Sequence, residues 1–278
     1  MTKSNPYGYL EVAALSDMGC IRTNNEDAYL TVPEAGCFVV ADGMGGGEAG
    51  EVASATVVNF LKETLDAVAE DSPGCRKYAV QQSLHKANSY VVNYRDAHHY
   101  SSMGTTVVIL LLNPWNASEA FSCHVGDSRL YCLRGGELFC LTRDHSMANE
   151  MKSKGSKEVL PDKIGKALVR VVGGSGLLVP EWQKVAVCPE DLFLLCSDGI
   201  LAVLPDSGIE KIMREGESPA AIVEELKKRV LAGGAPDNLT AVCLKIGNEL
   251  PLPLDVDDFE REESELLLKV AEERKDFR

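Results

Sequence analysis

Four aspartates stand at the ends of apolar runs, and their number and type point to divalent-cation chemistry. Phe38-Val39-Val40-Ala41 runs into Asp42-Gly43, and Leu192 to Cys196 runs into Ser197-Asp198-Gly199. Gly233-Gly234-Ala235-Pro236 leads to Asp237-Asn238 with an apolar run behind it, and Val125-Gly126-Asp127-Ser128-Arg129 makes a turn between two runs. Glycine next to Asp42 and Asp198 lets the backbone turn sharply and brings a carbonyl close. A single Asp-Gly is an ordinary turn. Four such aspartates bounding strands of one sheet system pose a different problem. If they converge, like charges in a partly dry site repel, and protonation or a cation must resolve it. Oxygen donors without Cys or His select hard ions, so magnesium or manganese is expected over zinc.

A second group lies upstream, where Arg22 precedes the pair Glu26-Asp27 by four and five residues. An arginine fork suits a phosphate dianion, which it can bind through two parallel hydrogen bonds. Taken alone, a surface ion pair with Glu26 explains Arg22 better. Cys123 to Arg129 fits Cys-x5-Arg, the spacing of a cysteine phosphatase, which needs a thiolate cradled by backbone N–H groups. That loop has one glycine, Asp127 would repel thiolate and phosphate alike, and Cys123 sits on an alternating strand. The match reads as coincidence. His85, His98, His99 and His124 show no ligand spacing, and His145 is expected to make a structural hydrogen bond.

The elements that must carry these groups are mostly strands. Tyr9–Leu15, Ala28–Val32 and Cys37–Ala41 precede Asp42. Ala49, Val52, Ala53, Thr56, Val57, Phe60 and Leu61 make one apolar helical stripe, and a second helix is expected from Cys75 to Tyr94. Thr105–Leu112 is apolar throughout, as a strand covered on both faces should be. Ala120–Val125, Leu130–Leu133 and Glu137–Leu141 form a meander with Arg134-Gly135-Gly136 as a hairpin turn. Met147–Lys166 is polar and poorly periodic, a loop or short helix. Val179–Val187 and Leu192–Cys196 are strands. Ser218-Pro219 opens a helix that Gly233-Gly234 ends, and Leu239–Ile246 is the last strand. Runs of strands with grouped helices predict an α+β fold, antiparallel sheets covered by helices.

With 278 residues, 45% of them hydrophobic, the chain can build a sizeable core. No apolar run reaches the roughly 18 residues of a membrane helix, and the N-terminus lacks an apolar signal segment. A cytoplasmic location and no membrane association are expected. Nine cysteines without a Cys-x-x-Cys pair read as small buried hydrophobes in a reducing compartment, among them Cys37, Cys132, Cys140, Cys188, Cys196 and Cys243. The formal charge of -14 argues against nucleic-acid binding. Residues 1–248 read as one domain. Residues 249–278 read as an acidic extension, a helix with Phe259, Leu266, Val270 and Phe277 on one face.

The motifs together resemble the metal-dependent protein phosphatases, the PPM or protein phosphatase 2C-like family. Arg22-x-x-Asn25-Glu26-Asp27, Asp42-Gly43-Met44-Gly45-Gly46, Met103-Gly104-Thr105-Thr106, Gly126-Asp127-Ser128-Arg129, Asp144-His145-Ser146, Ser197-Asp198-Gly199 and Asp237-Asn238-Leu239-Thr240 stand in the family's order. They span Leu10 to Ile246. The resemblance implies a β-sandwich of two mainly antiparallel sheets flanked by helix pairs, two Mn²⁺ or Mg²⁺ ions, and hydrolysis of phosphoserine and phosphothreonine by in-line attack of a metal-bridging hydroxide. By position, Asp42 should bridge the ions. Asp198 and Asp237 should hold one and the Gly43 carbonyl the other, with Glu26 and Asp27 acting largely through water and Arg22 clamping the phosphate. A third, weaker ion is implied at Asp127 and Asp198. Phosphorylated proteins are the implied partners, with a cognate Ser/Thr kinase or its substrates among them. Met44 stands where many members carry a histidine that could protonate the leaving alkoxide; this resembles the bacterial branch. The segment from Met147 to Leu168 departs from the family pattern and is expected to form a flap beside the site. A catalytically dead binding module of the same fold is the rival reading, and the intact aspartate set argues against it.

Overall fold

The computed structural model describes residues 10–45, 49–67, 73–156, 158 and 160–251. The expected helix over 255–278 and the expected strand residue Tyr9 lie outside them. Eleven strands run in the order β1 (Leu10–Asp17), β2 (Asp27–Val32), β3 (Cys37–Met44), β4 (Gly104–Thr105), β5 (Val107–Leu112), β6 (Glu119–Val125), β7 (Arg129–Arg134), β8 (Glu137–Cys140), β9 (Glu181–Ala186), β10 (Leu192–Cys196) and β11 (Leu239–Ile246). Helices α1 (Gly50–Ala67) and α2 (Pro73–Ala97) follow β3. The short α3 (Met147–Ser153) and α4 (Asp162–Gly165) interrupt the chain after β8. Then α5 (Asp198–Leu201), α6 (Asp206–Glu215) and α7 (Pro219–Ala232) lie between β10 and β11.

One sheet has the order β1-β11-β10-β7-β8 and the other β2-β3-β5-β6-β9, with β4 paired to β3. Every strand pairing is antiparallel. The apolar strands are buried on both faces because each sheet has a neighbour on each side. On β5, Val107, Ile109 and Leu111 pack with Val57, Leu61, Val80 and Leu84 of α1 and α2. Val108, Leu110 and Leu112 face the other way and meet Phe193, Leu195, Val242 and Leu244 of the opposite sheet. On β10 and β11, Leu194, Cys196, Ala241 and Cys243 pack against Ile209, Ile212, Ile222 and Leu226 of α6 and α7. The two-residue side-chain period of a strand sorts alternate residues into these layers. The result is the expected α-β-β-α sandwich.

Three features differ from expectation. Thr105–Leu112 is not one strand: it breaks at Thr106, whose N–H donates to the Asp42 carbonyl at 2.9 Å. Its hydroxyl accepts the Asp42 N–H at 3.1 Å, so the break ties the strand to the end of β3. Helix α6 is absent from the sequence expectation. Its buried residues Ile209, Ile212 and Met213 keep helical spacing, but three apolar residues among charged neighbours give a weak stripe. Cys140 is exposed on edge strand β8, not a buried hydrophobe, and Cys188 is half-buried. No helix among the described residues is long and apolar enough to cross a membrane.

Candidate functional site

The ends of β2, β3 and β10, the turn before β7 and the approach to β11 meet at one edge of the sandwich. A cavity of about 350 Å³ there is lined by Arg22, Glu26, Asp42, Gly43, Asp127, Asp198 and Asp237, with Met44, Thr106, Lys166 and Leu168 completing its wall. Asp27, the remaining expected site residue, lies behind it, directly opposite Asp42 in the β2–β3 register. Residues far apart in sequence therefore converge as their strand-end positions required.

Close approach explains the glycines. A Cβ on Gly43 would strike the carbonyl oxygens of Gly50 and Glu26, and one on Gly199 would strike that of Asn238. Gly43 N–H donates to the Glu26 carbonyl at 3.0 Å, which locks the Arg22–Asp27 segment to the Asp-Gly turn. Asn238 completes the lock. It is buried, its amide donates to the carbonyls of Met18 and Asn24 at 2.9 and 2.8 Å, and its oxygen accepts the Glu26 N–H at 2.9 Å.

The electrostatics are those of crowded acids. Burial, then the charges of Asp27, Asp198 and Asp127, pushes the Asp42 carboxyl well above the usual range. Asp27 is pushed up to about 7 by burial, against hydrogen bonds from Ser197 and Thr240. Asp127 is likewise pushed up to about 7, by burial and then by Asp198 and Asp144. Burial and Asp237 raise Asp198, and burial and Glu51 raise Glu26. Ser197 Oγ donates to one oxygen of Asp27 at 2.7 Å. The other, Oδ1, is buried with no hydrogen-bond partner among the described residues. A buried carboxylate oxygen lacking a donor, beside acids that raise one another's pKa, is a donor set that fits hard divalent cations. Arg22 does not pair with Glu26: its Nη2 lies 2.6 Å from Asp237 Oδ2, with the Arg22 side chain 49% exposed.

A family model described as protein phosphatase 2C matches residues 22–233, a span that takes in Arg22, Glu26, Asp27, Asp42, Asp127 and Asp198 and ends just before Asp237 and Asn238. The chain belongs to the protein phosphatase 2C family. It is 30% identical to the serine/threonine phosphatase stp of Listeria monocytogenes over 241 residues, 83% of this chain and 93% of that one. Among solved structures, PppA of Pseudomonas aeruginosa superposes with a TM-score of 0.77 at 35% identity, covering 86% of this chain and 99% of that one. The catalytic domain of the serine/threonine protein phosphatase PstP, solved with two manganese ions, gives 0.70 at 31% identity, with 86% and 98% covered.

Other groups take structural parts in this 2C-type fold. Cys123 is fully buried, and burial raises its thiol far above the range of a reactive thiolate. His145 Nδ1 accepts the Gly126 N–H at 3.1 Å, the expected structural bond. Donor atoms of His124, His145 and Glu181 lie within 4.8 Å of one another, but they do not form a second metal site. With Nδ1 an acceptor, His145 Nε2 carries the proton and donates to Glu181 at 3.2 Å. The two imidazoles stack at 4.4 Å and 16°, so their in-plane lone pairs run side by side instead of converging. Arg170 adds a positive charge 3.4 Å from the same nitrogen.

Sequence reasoning missed Asn238, Thr106, Ser197 and Lys166 as separate contributors to the 2C site. Asn238→Ala removes all three of that amide's loop bonds and strands their partners. It is expected to cost about 3 kcal/mol, read as a lower urea midpoint at unchanged m-value.

Proposed function

We propose that this chain releases phosphate from phosphoserine and phosphothreonine in proteins, with two manganese or magnesium ions held by Asp42, Asp198, Asp237 and the Gly43 carbonyl. The observation that carries the reading is the convergence of Asp27, Asp42, Asp127 and Asp198, whose burial and, after it, mutual repulsion raise every one of their pKa values. The solved PstP domain with two manganese ions supports the ion count. Asp42, central among the acids, would serve both ions. Glu26 and Asp27 would contribute through water, and Asp127 with Asp198 could take a third ion. When bound, the ions ionise a water near neutral pH and offset charge on the phosphoryl oxygens. Serine/threonine phosphatases among the relatives support a phosphoprotein substrate; a cognate kinase or its substrates is the partner proposed. The catalytic domain is taken as residues 1–248.

The chain's own residues do the positioning. Arg22 lines the cavity with Asp42, where its fork would bind two phosphoryl oxygens if Asp237 were engaged by an ion. Thr106 fixes the Asp42 backbone from both sides. Met44 lines the same cavity and has no proton to give, so a water molecule would protonate the leaving alkoxide.

The test is phosphate release from a phosphothreonine peptide. Activity should require Mn²⁺ or Mg²⁺, vanish in excess chelator, return on adding back the ion, and survive mild thiol alkylation. Thiol-sensitive, chelator-resistant turnover would overturn the reading. Arg22→Ala should lower kcat/KM by about 10²-fold, measured on the same peptide with the metal saturating.

A further inference from the structure

A second cavity, of about 290 Å³, adjoins the first and shares Asp127, Asp198 and Lys166 with it. Its far wall is Leu201, the last residue of α5, with Leu204 and Pro205 from the segment that joins α5 to α6. On the Arg129 side of its rim the charges are matched to one another. Arg129 makes a two-pronged pair with Asp144, at 2.8 Å through both Nε and Nη2. Its remaining Nη1 bonds Tyr131 Oη at 3.0 Å and Asp206 at 3.2 Å, and the Tyr131 hydroxyl also donates to Asp206 at 2.7 Å.

What the far wall of this cavity, away from Asp127 and Asp198, offers an incoming group is apolar surface, since the polar groups beside it on Arg129, Asp144 and Asp206 are already bonded to one another. Its continuity with the phosphate-sized site names the occupant. Neighbouring residues of an extended peptide lie about 3.8 Å apart at Cα, so a substrate whose phosphorylated side chain enters the acidic cavity carries its flanking side chains over this one. We propose that the Leu201–Pro205 cavity is a specificity pocket for an apolar side chain, aliphatic or aromatic, within two positions of the phosphorylated residue. This rests on the proposed phosphatase activity and names the class of sequence on which it acts.

Phosphothreonine peptides differing only at the flanking positions test it, with Leu, Phe, Ala, Lys or Glu placed there in turn. At one position Leu or Phe should raise kcat/KM about tenfold over Ala, mostly through KM. Ala202→Leu, at an exposed wall residue, should fill the cavity and bring the Leu-to-Ala ratio to about one, as should Leu204→Ala. Because the ratio is taken within one preparation, a partly unfolded variant does not distort it. Anisotropy with fluorescein-labelled peptides gives the same comparison by binding, independent of turnover. Equal values for Leu and Ala at every position, a preference for Lys or Glu, or a ratio unchanged in Ala202→Leu would each overturn the proposal. Turnover of an aryl phosphate, which has no flanking residue, reports on the catalytic assignment alone.

Discussion

Asp42→Asn should lose phosphate release by at least about 10³-fold while making the metal-free protein more stable at alkaline pH. Both effects come from one carboxylate. Asp42 sits in the midst of Asp27, Asp198 and Asp127, and in the absence of cations these neighbours and burial drive its proton affinity well up. Asparagine has nearly the same shape as the protonated acid, so it removes the repulsion and also removes the anionic oxygens a divalent ion needs. The stability gain should be smallest at acid pH, where the native acid is itself protonated, and should grow as the pH rises. Thermal unfolding in chelator, with phosphate release measured on the same preparation, reads both signs. Full activity in Asp42→Asn would sink the site assignment; a lower metal-free Tm at pH 8.5 would mean that the aspartate is held by contacts not yet accounted for.

The layered fold is legible in the sequence wherever a strand is buried on both faces. Val107–Leu112 has no polar residue to mislead, and each of its alternating sets finds a different layer. Helix α6 is not legible in the same way, because its face needs only Ile209, Ile212 and Met213 while the rest of it carries charge. The site divides similarly. Its aspartates announce themselves by standing at strand ends beside glycine. The groups that hold them in place do not, since Asn238 and Thr106 act through backbone atoms of residues 212 and 64 positions away. An amide or a hydroxyl in a loop carries no periodic signal, and only the folded chain says which carbonyl it faces. Arg22 shows the limit from the other side. Spacing favoured Glu26 as its partner, and the fold supplies Asp237 instead.

Lowering the pH from about 7.5 to about 5.5 should stabilise the metal-free protein, the reverse of ordinary acid destabilisation. Asp27 and Asp127 are each pushed up to about 7 in the folded chain, against roughly 3.9 unfolded. The folded state therefore binds more protons than the unfolded state throughout that interval, and stability falls as pH rises through about 7. Each carboxylate contributes on the order of 2 kcal/mol across the stated range, and each kcal/mol moves Tm by about 2–4 °C in a domain of this size. His145 works in the opposite sense: burial lowers its pKa, so it loses stability on acidification, but it is one group against several acids. Asp17, lowered by Lys227 and the Gly19 N–H, titrates below the interval. Saturating Mn²⁺ should invert the slope, because an ion and a proton compete for the same oxygens and the ion wins as pH rises. Thermal unfolding at the two pH values, in chelator and in Mn²⁺, gives four midpoints whose crossing pattern is the result. Parallel pH profiles with and without the ion would mean that these carboxylates are not where cations bind.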